Sequence, residues 1–571
     1  MTFKKKWIAV AMSSLLLGAC LNNDNQQNLS AGDVFVLTSN GQLASFNRTE
    51  PSVVRTSVPV TGLVAGDSLL GMDFRPRDGQ LYAVARTTPG NGGRLYTINT
   101  NTGAATAVAT LAAAVGSAYT NIDPAATSFG VDFNPAADAL RVISNTGQNL
   151  RIVMNAGGGN VLGSTFLDTP LNRTDGSANP FADTGTAYTN SFDGTSSTRM
   201  FNLDVTNGNL IQQTTPNAGT TVVAAPLFAA ATAITGTNGF DIDASNNRGF
   251  ALLNVGGAIT LYSIAIPDST ATLPVAGPAA TAVGNINIQG VIGMALALET
   301  APQVVALDGN TAGTQRLLKF GVRTPNTATA TTVTGLPMGE RLLSIDFRPS
   351  NGRLYGLSSA GKLFVINPDS GTATLASTLS VATEIVNGLA AGKNYAIDFN
   401  PVADALRIVS SGDGDNVSKN YRVPGANLES TGATTTDTDL TLAGVGTGFG
   451  IAQIAYTNSF ANPAPTATRM FNIDADNNRL LQQNPPNNGT QTVIGGTGQT
   501  FNDYGGFDVS GGDNGMRLIA GRNATTGVFS LFNIDLATGA VSNAAVGTGN
   551  NEIGSGAVVS TDVRSLSVRF Q

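Results

Sequence analysis

The chain is one unit written twice, and that duplication constrains its fold more than any other feature. Gly71-Met-Asp-Phe-Arg-Pro followed by Gly79-Gln-Leu-Tyr82 returns as Ser344-Ile-Asp-Phe-Arg-Pro followed by Gly352-Arg-Leu-Tyr355. Val131–Val142 returns as Ile397–Ile408, Ala187–Phe192 as Ala455–Phe460, Thr198–Asp204 as Thr468–Asp474, and Gly239–Asp241 as Gly506–Asp508. The offset stays between 266 and 273 residues, so the copies differ mainly by loop insertions. Residues 34–298 form one domain and residues 302–571 the other. A fixed internal period is the mark of a repeat architecture, which decides the fold before any local propensity does.

Within each half a shorter period runs. Apolar strand starts carrying Asp or Asn stand at Asp73, Asp132, Asn190 and Asp241, 51 to 59 residues apart, and a fifth apolar strand, Ile292–Leu298, follows. Between them, alternating apolar runs of 4–7 residues are separated by Asn-Gly, Thr-Gly and Asn-Asn turns, the signature of strands and hairpins. The 67 glycines among 571 residues belong to those turns, which need positive φ. Four strand signals per 50–60 residues describe a propeller blade, and radial repetition protects the edges of so many short sheets. The fold class is therefore all-β: two tandem β-propeller-like domains of about five blades each. One larger ring is the alternative closure and a β-helix the alternative architecture, although β-helix repeats are shorter and more regular. In the two-ring arrangement the last strand of each half returns to its first. Ile292–Leu298 meets Val34–Leu37 and Leu43–Phe46, and Leu566–Phe570 meets Val304–Leu307.

The motifs Gly-x-Asp-Phe-Arg-Pro-x-x-Gly-x-Leu-Tyr, Val-Asp-Phe-Asn-Pro-x-x-Asp-x-Leu-Arg and Gln-Gln-x-x-Pro-Asn-x-Gly-Thr stand at 71–82, 131–141 and 212–220, and again at 344–355, 397–407 and 482–490. In these stretches the chain resembles a bacterial domain-of-unknown-function family, number 4394. The resemblance covers nearly all of both halves and implies a propeller-like fold. It brings no substrate and no catalytic residue. Ser344 for Gly71, Ile397 for Val131 and Pro485 for Thr215 are the departures between the copies.

The first 20 residues carry an address. Lys4, Lys5 and Lys6 precede an 11-residue, mostly apolar run from Trp7 to Leu17, which fits a signal h-region and is too short to span a membrane. Leu17-Gly18-Ala19-Cys20 resembles a bacterial lipobox. That resemblance implies cleavage after residue 19, acylation of Cys20, and a flexible polar tether over residues 20–33. The expected protein is an exported lipoprotein, anchored through its lipid in the cell envelope. The outer membrane, on its periplasmic or surface face, is the expected location. Loss of residues 1–19 removes three lysines and no acid, taking the net charge from −7 to −10.

Composition then narrows the chemistry. With no histidine and a single cysteine, the chain has no Ser-His-Asp or Cys-His set, no imidazole metal site and no internal disulfide. Acidic residues outnumber basic ones 38 to 31, which is the wrong balance for a nucleic-acid partner. What remains is Asp, Arg, Asn and Tyr. Asp73, Asp132, Asn190 and Asp241, with their copies Asp346, Asp398, Asn458 and Asp508, are the candidate ligand-binding residues. On strands lining a central tunnel, their carboxylates would converge on a cation or act as acid and base on a sugar. The structural reading of the same pattern is that each Asp accepts backbone hydrogen bonds from the next blade or pairs with Arg75, Arg141, Arg348 or Arg407. Tyr188 and Phe192, with Tyr456 and Phe460, flank the two asparagines as a sugar site would, or as blade packing would. Asp413 and Asp415, in an insertion present only in the second half, form the candidate metal loop, with Ca2+ as the cofactor it would take. Asp474-Ala-Asp476 imitates the start of a calcium loop, but Arg479 stands where that loop needs Gly.

Two functions from different classes fit. One is a non-enzymatic binding or scaffolding propeller with a protein or glycan partner. The other is a tunnel-type hydrolase or lyase on a glycan or small molecule, using Asp, Arg and Tyr, with or without Ca2+. Asymmetry between the halves separates them, because structure repeats while catalysis needs one site.

Overall fold

The computed structural model describes residues 30–174, 185–298, 302–413, 417–444, 450–462, 464–499, 501–523, 525–544 and 550–570. Cys20 and the signal lie outside the described residues, as does Asp415. The described chain is all-β, with ten four- or five-stranded sheets and one α-helix, Ala382–Ala390, which precedes the inner strand Tyr395–Asn400.

Each sheet is a blade built from consecutive antiparallel strands. The second runs Ser68–Phe74, Leu81–Arg86, Gly93–Ile98, Ala105–Thr110 from inside to outside. The first blade is the exception that closes the ring. Its innermost strand is Val291–Leu296, from the end of the half, paired antiparallel to Val34–Thr38 with Val34 opposite Leu296. The second half does the same, with Val563–Arg569 against Gln303–Asp308 and Val304 opposite Val568.

The innermost strands of the first half pack in a closed circuit. Val291–Leu296 packs on Ser68–Phe74, which packs on Phe129–Asn134, Thr186–Tyr188, Ile234–Ile242 and so back to Val291–Leu296. A second circuit runs through Val563–Arg569, Leu342–Phe347, Tyr395–Asn400, Ile451–Tyr456 and Phe501–Ser510. These are two five-bladed rings rather than one larger ring, and the antiparallel blades exclude the β-helix. In three blades the incoming linker adds a short parallel strand at the rim, as where Ala112–Ala113 joins Ser164–Asp168.

The hydrophobic effect acts between blades. Among the described residues ten apolar clusters are buried, one at each blade junction, for instance Tyr82, Val84, Val131, Phe133 and Leu140 between the second and third blades. A blade whose two faces both pack on neighbours reads as nearly continuous apolar strands, which explains Leu81–Arg86 with five consecutive buried residues. Glycine is obligatory where one blade's outer turn touches the next. Gly103 (φ +72°) and its counterpart Gly371 (φ +71°) each leave 2.2 Å between an added Cβ and a carbonyl oxygen, of Pro59 and Thr332 respectively. A side chain fits neither the dihedral nor the space.

The two rings meet through equivalent surfaces. The Gly512 N–H donates to the carbonyl of Ser245, its own counterpart in the repeat, at 3.1 Å. Asp513 takes Arg199 in a two-pronged ion pair at 2.6 and 2.9 Å, and Arg323 pairs with Asp193. Phe192 inserts into the apolar core of the second ring and meets Phe570 edge-on at 5.3 Å between ring centroids.

Candidate functional site

The structure brings together three of the four predicted carboxamide or carboxylate positions in each ring. Asp73, Asp132 and Asp241 each offer an oxygen, and these atoms lie within 4.8 Å of one another; Asp346, Asp398 and Asp508 repeat the arrangement. All six are buried, at 1–5% exposure. Asn190 and Asn458 are not in these clusters. They sit past the ends of their inner strands in left-handed turns (φ +58° and +59°). There Asn190 N–H donates to Asn247 Oδ1 and Asn458 N–H to Asn514 Oδ1, both at 2.7 Å. By backbone bonding, the position matching Asp132 in the fourth blade is Ala187, so that blade contributes no carboxylate.

Each Asp is spent on the neighbouring blade. In the first ring, Asp73 accepts the Phe133 N–H at 2.7 Å, Asp132 the Tyr188 N–H at 3.0 Å and Asp241 the Leu296 N–H at 2.7 Å. In the second, Asp346 accepts from Phe399 at 2.8 Å, Asp398 from Tyr456 at 2.9 Å and Asp508 from Val568 at 2.6 Å. Ser567 adds a hydroxyl that donates to Asp346 at 2.7 Å. Antiparallel pairing within a blade leaves the inner edge with free N–H groups, and an Asp from the adjacent blade satisfies them.

The electrostatics follow from that burial. Desolvation pushes Asp241 up to about 7 and Asp508 up to about 6. Asp73, Asp132, Asp346 and Asp398 stand well above the usual carboxylate range, first through burial and then through the charges of their cluster mates. Such a cluster is stable when it holds protons, or when a cation supplies the missing charge. Three hard oxygens at this spacing would suit part of a Ca2+ shell, the remaining ligands being water or carbonyl oxygen.

The arginines of the repeated motifs pair elsewhere, so of the two structural alternatives the backbone bonds hold and the Arg pairing does not. Arg75 binds Asp138 and Arg348 binds Asp404. Arg141 stands directly across the strand pair from Asp132 yet reaches outward to Asp168 at 2.7 Å, and Arg407 likewise to Asp437 at 2.6 Å. Tyr188 and Tyr456 are buried against those guanidinium groups at 3.2 Å, so they pack between blades. Asp413 is exposed and accepts from the Ser411 hydroxyl at 2.6 Å. Asp474 is held by Arg479 at 2.7 Å across a hairpin turn.

Sequence reasoning missed the junction of the rings. A cavity of about 830 Å³ opens there, lined by Arg48, Arg248, Phe250, Phe347, Phe460 and Phe570, among others. A second, of about 370 Å³, shares Asn246, Arg248 and Phe460 with it and is bounded by Arg199, Pro267 and Arg469. The signal was in the repeat: Asp513 aligns with Asn246, and Phe570 with Leu298, at the 267- and 272-residue offsets of the two copies.

The family model of a domain of unknown function, DUF4394, matches residues 42–295 and again 316–554. The chain belongs to this family. DUF4394 thus spans both rings, one copy in each. No curated protein matches the chain. Among solved structures, the extracellular domain of BT4673 from B. thetaiotaomicron is similar at 12% identity, covering 87% of this chain and 63% of that one, with a TM-score of 0.24. The chain therefore spans less than two thirds of that protein's length. A protein from Lactobacillus plantarum is similar at 16% identity over 66% of this chain and 95% of that one, TM-score 0.24. A chain of a nidogen/laminin complex is similar at 10% identity over 56% and 97%, TM-score 0.26. These likenesses are distant.

Proposed function

We propose that this DUF4394 protein is an exported lipoprotein, anchored through Cys20 to the cell envelope, whose paired rings form a non-enzymatic binding or scaffolding unit. The observation that carries this reading is the equal use of the six repeated Asp residues in both rings. Each holds a backbone N–H of the adjacent blade. An acid–base pair for glycan hydrolysis needs two carboxyl groups with distinct environments facing a substrate, and these are paired with backbone instead. Among the described residues no helix is long and apolar enough to cross a membrane, so attachment in this reading rests on the lipid and its tether. Two or more acyl chains hold a protein stably where one does not. Cys20→Ser should move the protein from the membrane fraction to the soluble fraction and abolish labelling by radioactive palmitate. Unchanged fractionation would sink the anchor.

A second reading, a tunnel cation site with or without hydrolase or lyase chemistry, is favoured by the convergence of three carboxylates in each ring. The two readings separate in a thermal melt. The binding or scaffolding reading expects the same melting temperature in EDTA and in millimolar Ca2+. A rise of several degrees with Ca2+, abolished by Asp132→Asn, would establish the second reading in its place.

A further inference from the structure

We propose that the cavity between the rings binds a small carboxylate, held by Arg469 and Arg248. The repeat supplies the argument. Arg199 in the first ring receives both oxygens of Asp513 from the second, at 2.6 and 2.9 Å. The counterpart pair, by the repeat alignment, is Arg469 with Asn246, so the carboxylate that one half of the interface provides is missing from the other. Both residues line the 370 Å³ cavity. Among the described residues, Arg469 has no ion-pair partner; its guanidinium lies 5.2 Å above the Phe471 ring. Arg248 reaches the same cavity. It is half-buried, donates to the Ser263 hydroxyl at 3.0 Å, and likewise has no carboxylate partner. Burial alone lowers its proton affinity, with no acid near enough to offset it.

The apolar side is asymmetric in the same sense. Phe192 fills the core of the second ring, whereas its counterpart Phe460 is half-buried and borders both cavities. Phe570, which receives Phe192, is matched in the first ring by Leu298, a smaller side chain. An unfilled apolar wall beside two unpaired guanidinium groups suits a molecule with one carboxylate and a compact body. Arginine forks match carboxylate geometry in two-point contacts, and ligand pockets commonly lie at domain junctions. The other charged groups at this cavity are Arg199 with its partner Asp513, and Asp268, which is exposed and held by Thr270. Two acids against three arginines leave one positive charge for the ligand.

This inference deepens the binding reading above and names its ligand class. The test is titration calorimetry of the full mature chain with glucuronate, glutamate and benzoate, with glucose as the neutral control. At least one carboxylate should bind and glucose should not. Arg469→Gln, which removes no side-chain hydrogen bond or ion pair of the fold, should weaken binding at least tenfold while leaving the melting temperature nearly unchanged. Asn246→Asp, which places the missing carboxylate in the cavity, should also abolish binding. Its side-chain amide holds the Asn462 carbonyl, so Arg469→Gln is the variant that separates ligand loss from local rearrangement. Failure of all three acids, or binding that ignores Arg469→Gln, overturns the proposal. Such a failure leaves the lipid anchor and scaffold intact, since Cys20→Ser fractionation reads those independently.

Discussion

Arg141→Met should destabilise the first ring by about 3–5 kcal/mol, the range seen when one partner of a buried charged network is removed. Arg141 is 1% exposed and makes four hydrogen bonds to four separate segments. Its Nε donates to the Tyr188 hydroxyl at 3.2 Å, Nη1 to Asn149 and Asp168 at 2.7 Å each, and Nη2 to Asn217 at 2.8 Å. It thereby ties the third blade to the fourth. Methionine fills much of the volume but leaves the Asn149 and Asn217 oxygens without their donor, and each such orphan costs about 1–3 kcal/mol. Asp168 keeps Arg151 at 3.1 Å, which keeps the loss from growing further. Arg407 makes the same four bonds in the second ring, to Tyr456, Asn420, Asp437 and Asn487. Arg407→Met should therefore give a loss of similar size there. Urea unfolding read by tyrosine fluorescence measures both. A loss below about 1 kcal/mol would show that the network does not join the blades.

The second large effect is on pH. The six tunnel carboxyls have pKa values raised in the folded state, with Asp241 at about 7 and Asp508 at about 6 against 3.8 unfolded. A raised folded pKa means that the native state binds the proton more tightly. Its stabilisation is complete below the unfolded value and is lost as pH rises through the folded value. Stability should therefore fall from pH 5 to pH 8, by about 3 kcal/mol from Asp241 alone, at about 1.4 kcal/mol per pH unit. Asp132→Asn should flatten that fall and raise the melting temperature at pH 8. The amide oxygen can still accept the single Tyr188 N–H bond, while the charge shared with Asp73 and Asp241 is gone. Asp241 is the poorer test, because both its oxygens are used, by Ile242 and Leu296. A melting temperature that rises from pH 5 to pH 8 would show that proton uptake by these carboxyls does not stabilise the fold.

Local reasoning reached most of the blade pattern because each inner strand carries its own marker. Asp73 and Asp132 sit in apolar strands because a buried edge needs an acceptor for its N–H groups, so the motif is legible wherever the strand is. The same pattern misled at Asn190 and Asn458. Their spacing matches the Asp series, but they stand two residues beyond the inner strand, and the backbone there turns left-handed. Side-chain reach was the other failure. Arg141 is opposite Asp132 in register, yet a guanidinium on a long stem extends to the rim, where Asp168, Asn149 and Asn217 surround it.

The duplication, the strand-and-turn grammar and the five inner strands per half are legible in the chain alone, because repeats and alternation are properties of residue order. That there are two rings and not one depends on which innermost strand packs on which, and so emerges from the packing. The packing also makes the recurring Asp residues joints between blades, and brings two halves nearly identical in sequence pattern together asymmetrically. Asn246 where the other copy has Asp513, and Leu298 where it has Phe570, are single-residue differences with no local consequence. They acquire one only when the rings face each other and leave a cavity between them.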